Sequence, residues 1–279
     1  MAIPNRLYAL ARSLAFLLPS VLLACGGAPS GEPAAESGIT PSPRTKAAIL
    51  SLVAIAENSR TTLAYDFAED IGDGRGVTFG IIGFTTGTYD GNIWLHHYTQ
   101  LAPGNRLAKY LPALDAIDGK PHPGGHCADI TGLDGFIADF RASLEDAGFK
   151  KSQLDKMDEL YWNPALAKAR HLGVRLGITL GELFDACVNH GESGMAALAD
   201  RTDEALGGSP GSGVDEARWL ARFLDFRYEL LASQPAWKNS VDRIGMYRRL
   251  LAAGKADLAT PFTATCYGDS FTVTGEGVF

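Results

Sequence analysis

The chain has 279 residues, 46% of them hydrophobic and 20% charged, which is enough for a sizeable core in one large domain or two small ones. This composition excludes a disordered or collagen-like chain, because the 32 Gly residues show no three-residue period and the 14 Pro residues cluster near the start. A net charge of -7 excludes a broad surface built to neutralise nucleic-acid phosphates and is compatible with a cationic ligand.

The first residues differ from the rest. Met1 to Arg12 carries Arg6 and Arg12 and no acid, and Leu14 to Ala24 is apolar apart from Pro19 and Ser20. That pattern is an export signal, and its apolar run is too short to span a bilayer. Leu22-Leu23-Ala24-Cys25 resembles a bacterial lipobox, in which cleavage leaves Cys25 for acylation and membrane anchoring. An ordinary secretory signal with an incidental cysteine is the other reading; either way the protein is exported, anchored or extracellular. Removing residues 1–24 takes away two basic residues and no acid, so the mature charge is -9. Residues 25–44 are small, polar and rich in Pro and Gly, and read as a flexible tether; the folded domain is expected over 45–279.

From Thr45 helical periodicity dominates. Ala47 to Ala56 is almost wholly apolar and predicts a helix buried on most sides, ending at Glu57-Asn58-Ser59. Gly76 to Thr88 predicts short strands and a turn. Asp90 is placed as the cap of a helix running to Leu101, a second helix follows Gly104, a third covers Leu133 to Ala147, and Asn163-Pro164 opens another. Leu176 to Val188, Val214 to Ala232 and Val241 to Ala252 complete the helices, and Phe271 to Thr274 returns as a strand. Trp219, Phe223 and Phe226 recur at helical spacing and read as core. His190, before Gly191, reads as a cation at a helix end. The fold class is mainly α with a small β element, in two helical lobes.

Cys127, Cys187 and Cys266 remain after Cys25, an odd number that leaves at least one thiol unpaired. His122, His126 and Cys127 lie close together, but nothing elsewhere supplies a matching second pair, so a plain Gly/Pro loop is favoured over a metal site. No metal or cofactor is expected, nor a nucleic-acid partner, and the protein is expected to be a monomer.

The informative segment runs from Glu57 to Asp90, where six acids (Glu57, Asp66, Glu69, Asp70, Asp73, Asp90) face two bases (Arg60, Arg75). Gly72-Asp73-Gly74-Arg75-Gly76 alternates glycine with charge, so the backbone can turn tightly with both side chains projecting outward. A phosphate loop fails because no Lys-Ser/Thr follows, and a calcium loop fails because the twelfth position is Ile81 or Phe84. A glycosidase-like pair of carboxyls fits: one protonated acid for the leaving oxygen and one carboxylate for water. Glu57, after an apolar helix and at its negative end, suits the acid; Asp73, on a polar turn beside Arg75, suits the base. Thr78 is placed to hold the attacking water by its hydroxyl. A Glu at a helix end is more often a solvated terminus and an Asp between glycines more often a turn residue, so the residues alone leave both readings open.

A longer pattern bears on that choice. Ala56-Glu57-Asn58-Ser59, Glu69 to Gly76 with Thr78, Gly80 to Phe84, His97-Tyr98-Thr99, Pro103-Gly104-Asn105 and Leu107 to Leu114 together resemble the chitosanases of glycoside hydrolase family forty-six. Weaker resemblance continues through Tyr161 to Pro164, Phe184-Asp185, His190-Gly191, Ala217 to Arg227 and Tyr267 to Asp269, covering about residues 45–270. The resemblance implies a lysozyme-like, two-lobed fold with a cleft between the lobes, and inverting endo-hydrolysis of β-1,4-linked glucosamine polymers. It matches Glu57 to the general acid, Asp73 to the base and Thr78 to the water-orienting residue. It matches Asp90 to an acid that binds a glucosamine amine, Arg75 to a cleft residue, and Asp185, Arg201 and Arg227 to a buried charge network behind the acid. The chain departs from the pattern in a shorter link between Glu57 and Asp73, in Leu63 and Tyr65 where a tryptophan is expected, and in Gln100 and Ala102 where acids are expected. A lysozyme-like enzyme on peptidoglycan and a silent sugar-binding lipoprotein are the alternatives. Peptidoglycan lacks free glucosamine amines, so the acidic segment would serve nothing there, and an intact set of Glu57, Asp73 and Thr78 speaks against silence.

Overall fold

The computed structural model describes residues 38–234 and 238–278. The expected export signal, Cys25 and the first part of the expected tether lie outside the described residues. The end of the tether does not hang free: the Ile39 amide donates to Val174 O at 2.7 Å and helix α1 starts at Pro43, so the folded body begins before Thr45.

Helix α1 (Pro43–Asn58) is capped by Ser42, whose hydroxyl accepts from the Thr45 amide at 3.0 Å, with Pro43 in the first turn where a missing N–H costs nothing. Every residue from Ala47 to Glu57 is buried, as the unbroken apolar run requires. The helix stops at Ser59, whose left-handed conformation (φ 50°) returns its amide to Ile55 O.

Strands β1 (Ala68–Asp70), β2 (Val77–Phe79) and β3 (Phe84–Thr85) form one antiparallel sheet in chain order, with Glu69 opposite Thr78 and Thr78 opposite Thr85. The β1–β2 connection carries Asp73. Its glycines, Gly72, Gly74 and Gly76, have φ of 70°, 83° and 71°, a region other residues avoid, which is why the acid sits between glycines. Helices α2 (Asp90–Leu101), α3 (Leu111–Asp118), α4 (Phe136–Ala142) and α5 (Phe149–Met157) complete this lobe. Its core is aromatic: Phe79 lies 5.0–5.3 Å from Trp94, Phe136 and Phe140, and Trp94 is fully buried with its indole N–H on Ser152 Oγ.

Helix α5 continues through a π turn (Asp158–Trp162) into α6 (Asn163–His171), a continuous rod between the lobes. The second lobe packs α7 (Gly177–Leu206) against α1, α6, α8 (Glu216–Ser233) and α9 (Asp242–Ala252). The antiparallel hairpin of β4 (Phe262–Cys266) and β5 (Asp269–Val273) lies against α1, and β4 also against α9. Helix α7 is broken at Gly191 (φ 73°, ψ 171°), which separates a buried first half from a more exposed second half. The fold is thus mainly α with small antiparallel sheets in a lysozyme-like arrangement, as the sequence predicts.

Several expectations need correction. The helix placed at Leu133 to Ala147 is reduced to α4, because Gly135 and Gly148 both adopt left-handed conformations that open separate helices. Helix α5 and strands β1 and β4 were not anticipated. Asp90 is the first residue of α2 and not its cap; the cap position is Tyr89.

Candidate active site

Glu57 occupies the last turn of α1 and is 4% exposed. Its Oε1 accepts from Arg243 Nη2 at 2.7 Å, and its Oε2 is buried with no hydrogen-bond partner. The same Arg243 nitrogen donates to Asp185 Oδ1 at 2.7 Å, while Nε donates to Asp185 Oδ2 at 3.0 Å. Asp185 Oδ2 also lies 2.7 Å from Arg227 Nη1, which donates to Glu182 Oε1 at 2.7 Å. One line of five charged side chains, none more than 2% exposed, therefore runs back from Glu57 through four helices. Burial opposes the charge on Asp185, yet Arg243 and Arg227 together hold its carboxyl down at about 2.

The network contains Asp185 and Arg227, as the resemblance implied, but not Arg201. Arg201 follows the Gly191 break, is exposed, and pairs with Glu229 at 2.9 Å while its guanidinium covers the Phe226 ring at 3.7 Å. The missing members are Arg243 and Glu182. Both leave a sequence signal: Arg243 lies one turn before Met246 and Tyr247 and two before Leu250, on the apolar stripe of α9, and Glu182 precedes Asp185 by three residues in the buried, mostly apolar first half of α7. A charge on a buried stripe calls for a buried partner. His190 joins the cluster as well, with Arg227 Nε donating to its Nε2 at 3.3 Å. Burial, then Arg227 and Arg243, push His190 well below its usual range, so it is neutral and not the helix-end cation expected.

Asp73 lies on the glycine turn, and the two charged side chains of that turn do not both project outward. Arg75 is 3% exposed and folds back on Asp73: its amide donates to Oδ1 at 3.1 Å and its Nε to Oδ2 at 2.9 Å, with Nη2 on the same oxygen. Asp73 is thereby fixed by a fork of charge-assisted bonds, and Arg75, expected to line the cleft, is buried beside it. Thr78, on β2, is 1% exposed and its hydroxyl is buried without a partner.

Asp90 is 8% exposed. Its Oδ1 accepts from the Thr85 amide at 3.0 Å and Thr88 Oγ1 at 2.9 Å, and its Oδ2 from the Tyr161 hydroxyl at 2.8 Å. Asp90 thus fastens the end of the sheet, the start of α2 and the π turn to one another. Beside the end of α1, Asn58, Arg60, Ala64, Asp66, Phe67 and Arg141 line an open cavity of about 290 Å³. The loop cysteine Cys127 and the buried Cys266 are free thiols, Cys187 is buried within α7, and His122 stacks on Tyr89 with ring centroids 4.3 Å apart. Among the described residues no helix is long and apolar enough to cross a membrane.

Comparison with known proteins places this arrangement. The family model described as "Glycosyl hydrolase family 46" matches residues 51–262. A chitosanase of Streptomyces sp. (strain N174) is 36% identical over 240 residues, 83% of this chain and 82% of that protein. A chitosanase of Bacillus subtilis (strain 168) is 32% identical over 220 residues, 75% and 78% of the two chains. Among solved structures, the complex of a Gynuella sunshinyii chitosanase with chitotetraose superposes with a TM-score of 0.78 at 32% identity, covering 84% of this chain and 99% of that one. Native chitosanase from Bacillus subtilis MY002 gives 0.77 at 30% identity, covering 83% and 98%. With a family match over residues 51–262 and relatives 32% and 36% identical over three quarters or more of its length, the chain belongs to glycosyl hydrolase family 46.

Proposed function

We propose that this protein is an inverting endo-chitosanase in which Glu57 is the general acid and Asp73 the general base. The observation that carries the reading is the state of Glu57: a buried carboxyl at a helix end with one oxygen fixed on Arg243 and the other uncommitted. A group so held has one direction in which to give a proton.

In the step proposed, a water held by Thr78 Oγ1 gives a proton to Asp73 as its oxygen forms a bond to the anomeric carbon. The bond from that carbon to the glycosidic oxygen breaks, and the oxygen takes the proton of Glu57. Attack on the face opposite the leaving group inverts the anomeric configuration, which requires the two carboxyls to stand apart by about 6.5–9.5 Å, room for the water. Arg75 aims Asp73 and takes no part in the transfer. Asp90 binds a glucosamine amine. A glucosamine polymer is cationic, so the acidic Glu57 to Asp90 segment concentrates it and speeds encounter, with marked salt dependence.

Incubating a glucosamine hexamer with the protein and following the products by proton NMR tests this. New reducing ends appearing first as the α-anomer support it. The β-anomer first would replace Asp73 as base by a nucleophile, and no cleavage, with lysis of cell walls instead, would move the substrate to peptidoglycan. Export and acylation at Cys25 belong to the same reading, supported by the charged start, the apolar run and Leu22 to Cys25. Labelling with a palmitate analogue that survives Cys25→Ala would remove the anchor from it.

A further inference from the structure

Helices α2 and α3 carry another polar cluster, near Asp90, that the reaction proposed above leaves unused. The Asn92 amide nitrogen donates to Asp115 Oδ1 and to Asp118 Oδ2, each at 3.0 Å, and His96 Nε2 lies 2.8 Å from the same Asp115 oxygen. His122, on the loop after α3, has its Nε2 3.1 Å from Ile117 O. Three atoms of this group are buried without a hydrogen-bond partner: Asn92 Oδ1, Asp118 Oδ1 and His122 Nδ1. Asn92 as a whole is only 7% exposed.

All three atoms are acceptors. Both hydrogens of the Asn92 amide go to carboxylates, so its oxygen is the end without a partner. Ile117 O can only accept, so His122 Nε2 carries a hydrogen, and in the neutral ring Nδ1 then presents a lone pair. Asp118 stands at the centre: Asn92 bonds to it, and His122, Asp115 and Asp90 all act on its charge. Burial raises its carboxyl above the usual range against the Asn92 bond, with Asp115 and Asp90 adding to the rise. A buried acceptor without a donor is costly, and three of them about one carboxylate call for a ligand with several N–H groups and a positive charge. A primary ammonium has three donors and that charge.

Tyr89 joins this cluster to Asp90. It precedes Asp90 in the chain, is 43% exposed, and lays its ring on His122 with 15° between the planes. Its backbone has φ 69° and ψ -37°, a region that a bulky residue enters only under strain. A strained, exposed aromatic ring beside the proposed amine contact is a surface for the apolar face of a sugar. Resting on the chitosan reading, we propose that Asp118, Asn92, His122 and Tyr89 form a further sugar subsite next to Asp90: Tyr89 stacks on one glucosamine ring, and Asp118 and Asn92 Oδ1 receive its ammonium. His122 backs the tyrosine. The subsite binds and makes or breaks no bond.

The experiment is kcat/KM for glucosamine oligomers of four to eight sugars in the wild type, Asp118→Asn and Tyr89→Gly. Asp118→Asn keeps an oxygen for the Asn92 amide and removes the charge. Tyr89→Gly removes the ring and suits the positive φ, so its melting temperature should hold or rise. Both variants should show a deficit of about tenfold on the longest oligomers that closes as the chain becomes too short to reach the subsite. A deficit equal at every length, as general damage to the fold would give, overturns the proposal. Calcium uptake by the free protein that Asp118→Asn abolishes, with the length profile unchanged, overturns it in favour of a metal. A wild type that cleaves none of the oligomers removes the chitosan reading and the subsite with it, whereas a wild type that cleaves them beside variants of identical profile removes the subsite alone. Should Asp118→Asn not fold, Tyr89→Gly carries the same expectation.

Discussion

One guanidinium nitrogen of Arg243 lies 2.7 Å from both Glu57 Oε1 and Asp185 Oδ1. Glu57 is therefore anchored by a side chain that is itself anchored. Arg243→Ala leaves two buried carboxyls facing a void, and we expect a loss of about 3–5 kcal/mol in urea unfolding. A loss below about 1 kcal/mol would mean that the pairing is not maintained in solution.

Glu57→Gln keeps the shape of the side chain and an oxygen for Arg243, but has no proton to give to a leaving oxygen. Hydrolysis should fall by about 10²–10⁴ with the thermal melt retained, the range that a positioned acid contributes. A variant that retains a tenth of the activity excludes Glu57 as the acid.

Thr78→Val separates a catalytic from a structural hydroxyl. Oγ1 is buried with no partner, so replacing it with a methyl removes an unsatisfied polar group and should leave stability equal or slightly higher. Turnover should drop if that hydroxyl holds the water. Equal turnover in a folded Thr78→Val would take the residue out of the reaction.

Asp90→Ala should raise KM much more than it lowers kcat, and should also lower stability by about 1–3 kcal/mol, because the Thr85 amide, Thr88 and Tyr161 lose their acceptor. Asp90→Asn removes the charge but keeps one acceptor oxygen, enough for Thr85 and Thr88 and not for Tyr161 as well, so it destabilises less than Asp90→Ala while still testing the charge. A KM unchanged in both variants counts against the amine contact.

Stability should depend on pH through the buried cluster, with two opposed contributions. Glu182 holds its proton up to about 7 in the folded state but loses it near 4.5 when unfolded; the folded state binds more protons in that window, so stability falls as pH rises through it. His190 is neutral when folded, and the unfolded chain takes up a proton below about 6.5, so its contribution is lost as pH falls below that value. Chemical denaturation from pH 4.5 to 7.5 reads both, and Glu182→Gln should remove the first while leaving the second.

The sequence disclosed its helices where one face was plainly apolar: α1, the first half of α7, α8 and α9 stand close to where periodicity puts them. It was least clear where single glycines divide helical segments, as at Gly135 and Gly148, since a Gly inside a helical pattern does not announce a left-handed turn. Short strands such as β1, three residues with two neighbours exposed, carry no periodicity to detect. At the site, local chemistry and the resemblance point to Glu57, Asp73 and Thr78. Arg201 was chosen and Arg243 missed because partners in a buried network are selected by packing between distant helices. The better rule was local after all: Arg243 sits on an apolar stripe, and Arg201 does not.

Arg243 lies 186 residues downstream of the glutamate that it holds. The setting of Glu57 is therefore a late acquisition in the life of the molecule, completed only when its last helix, α9, has been synthesised and docked. A nascent or truncated polypeptide that ends before α9 contains Glu57, Asp73 and Thr78 and lacks the side chain that holds Glu57.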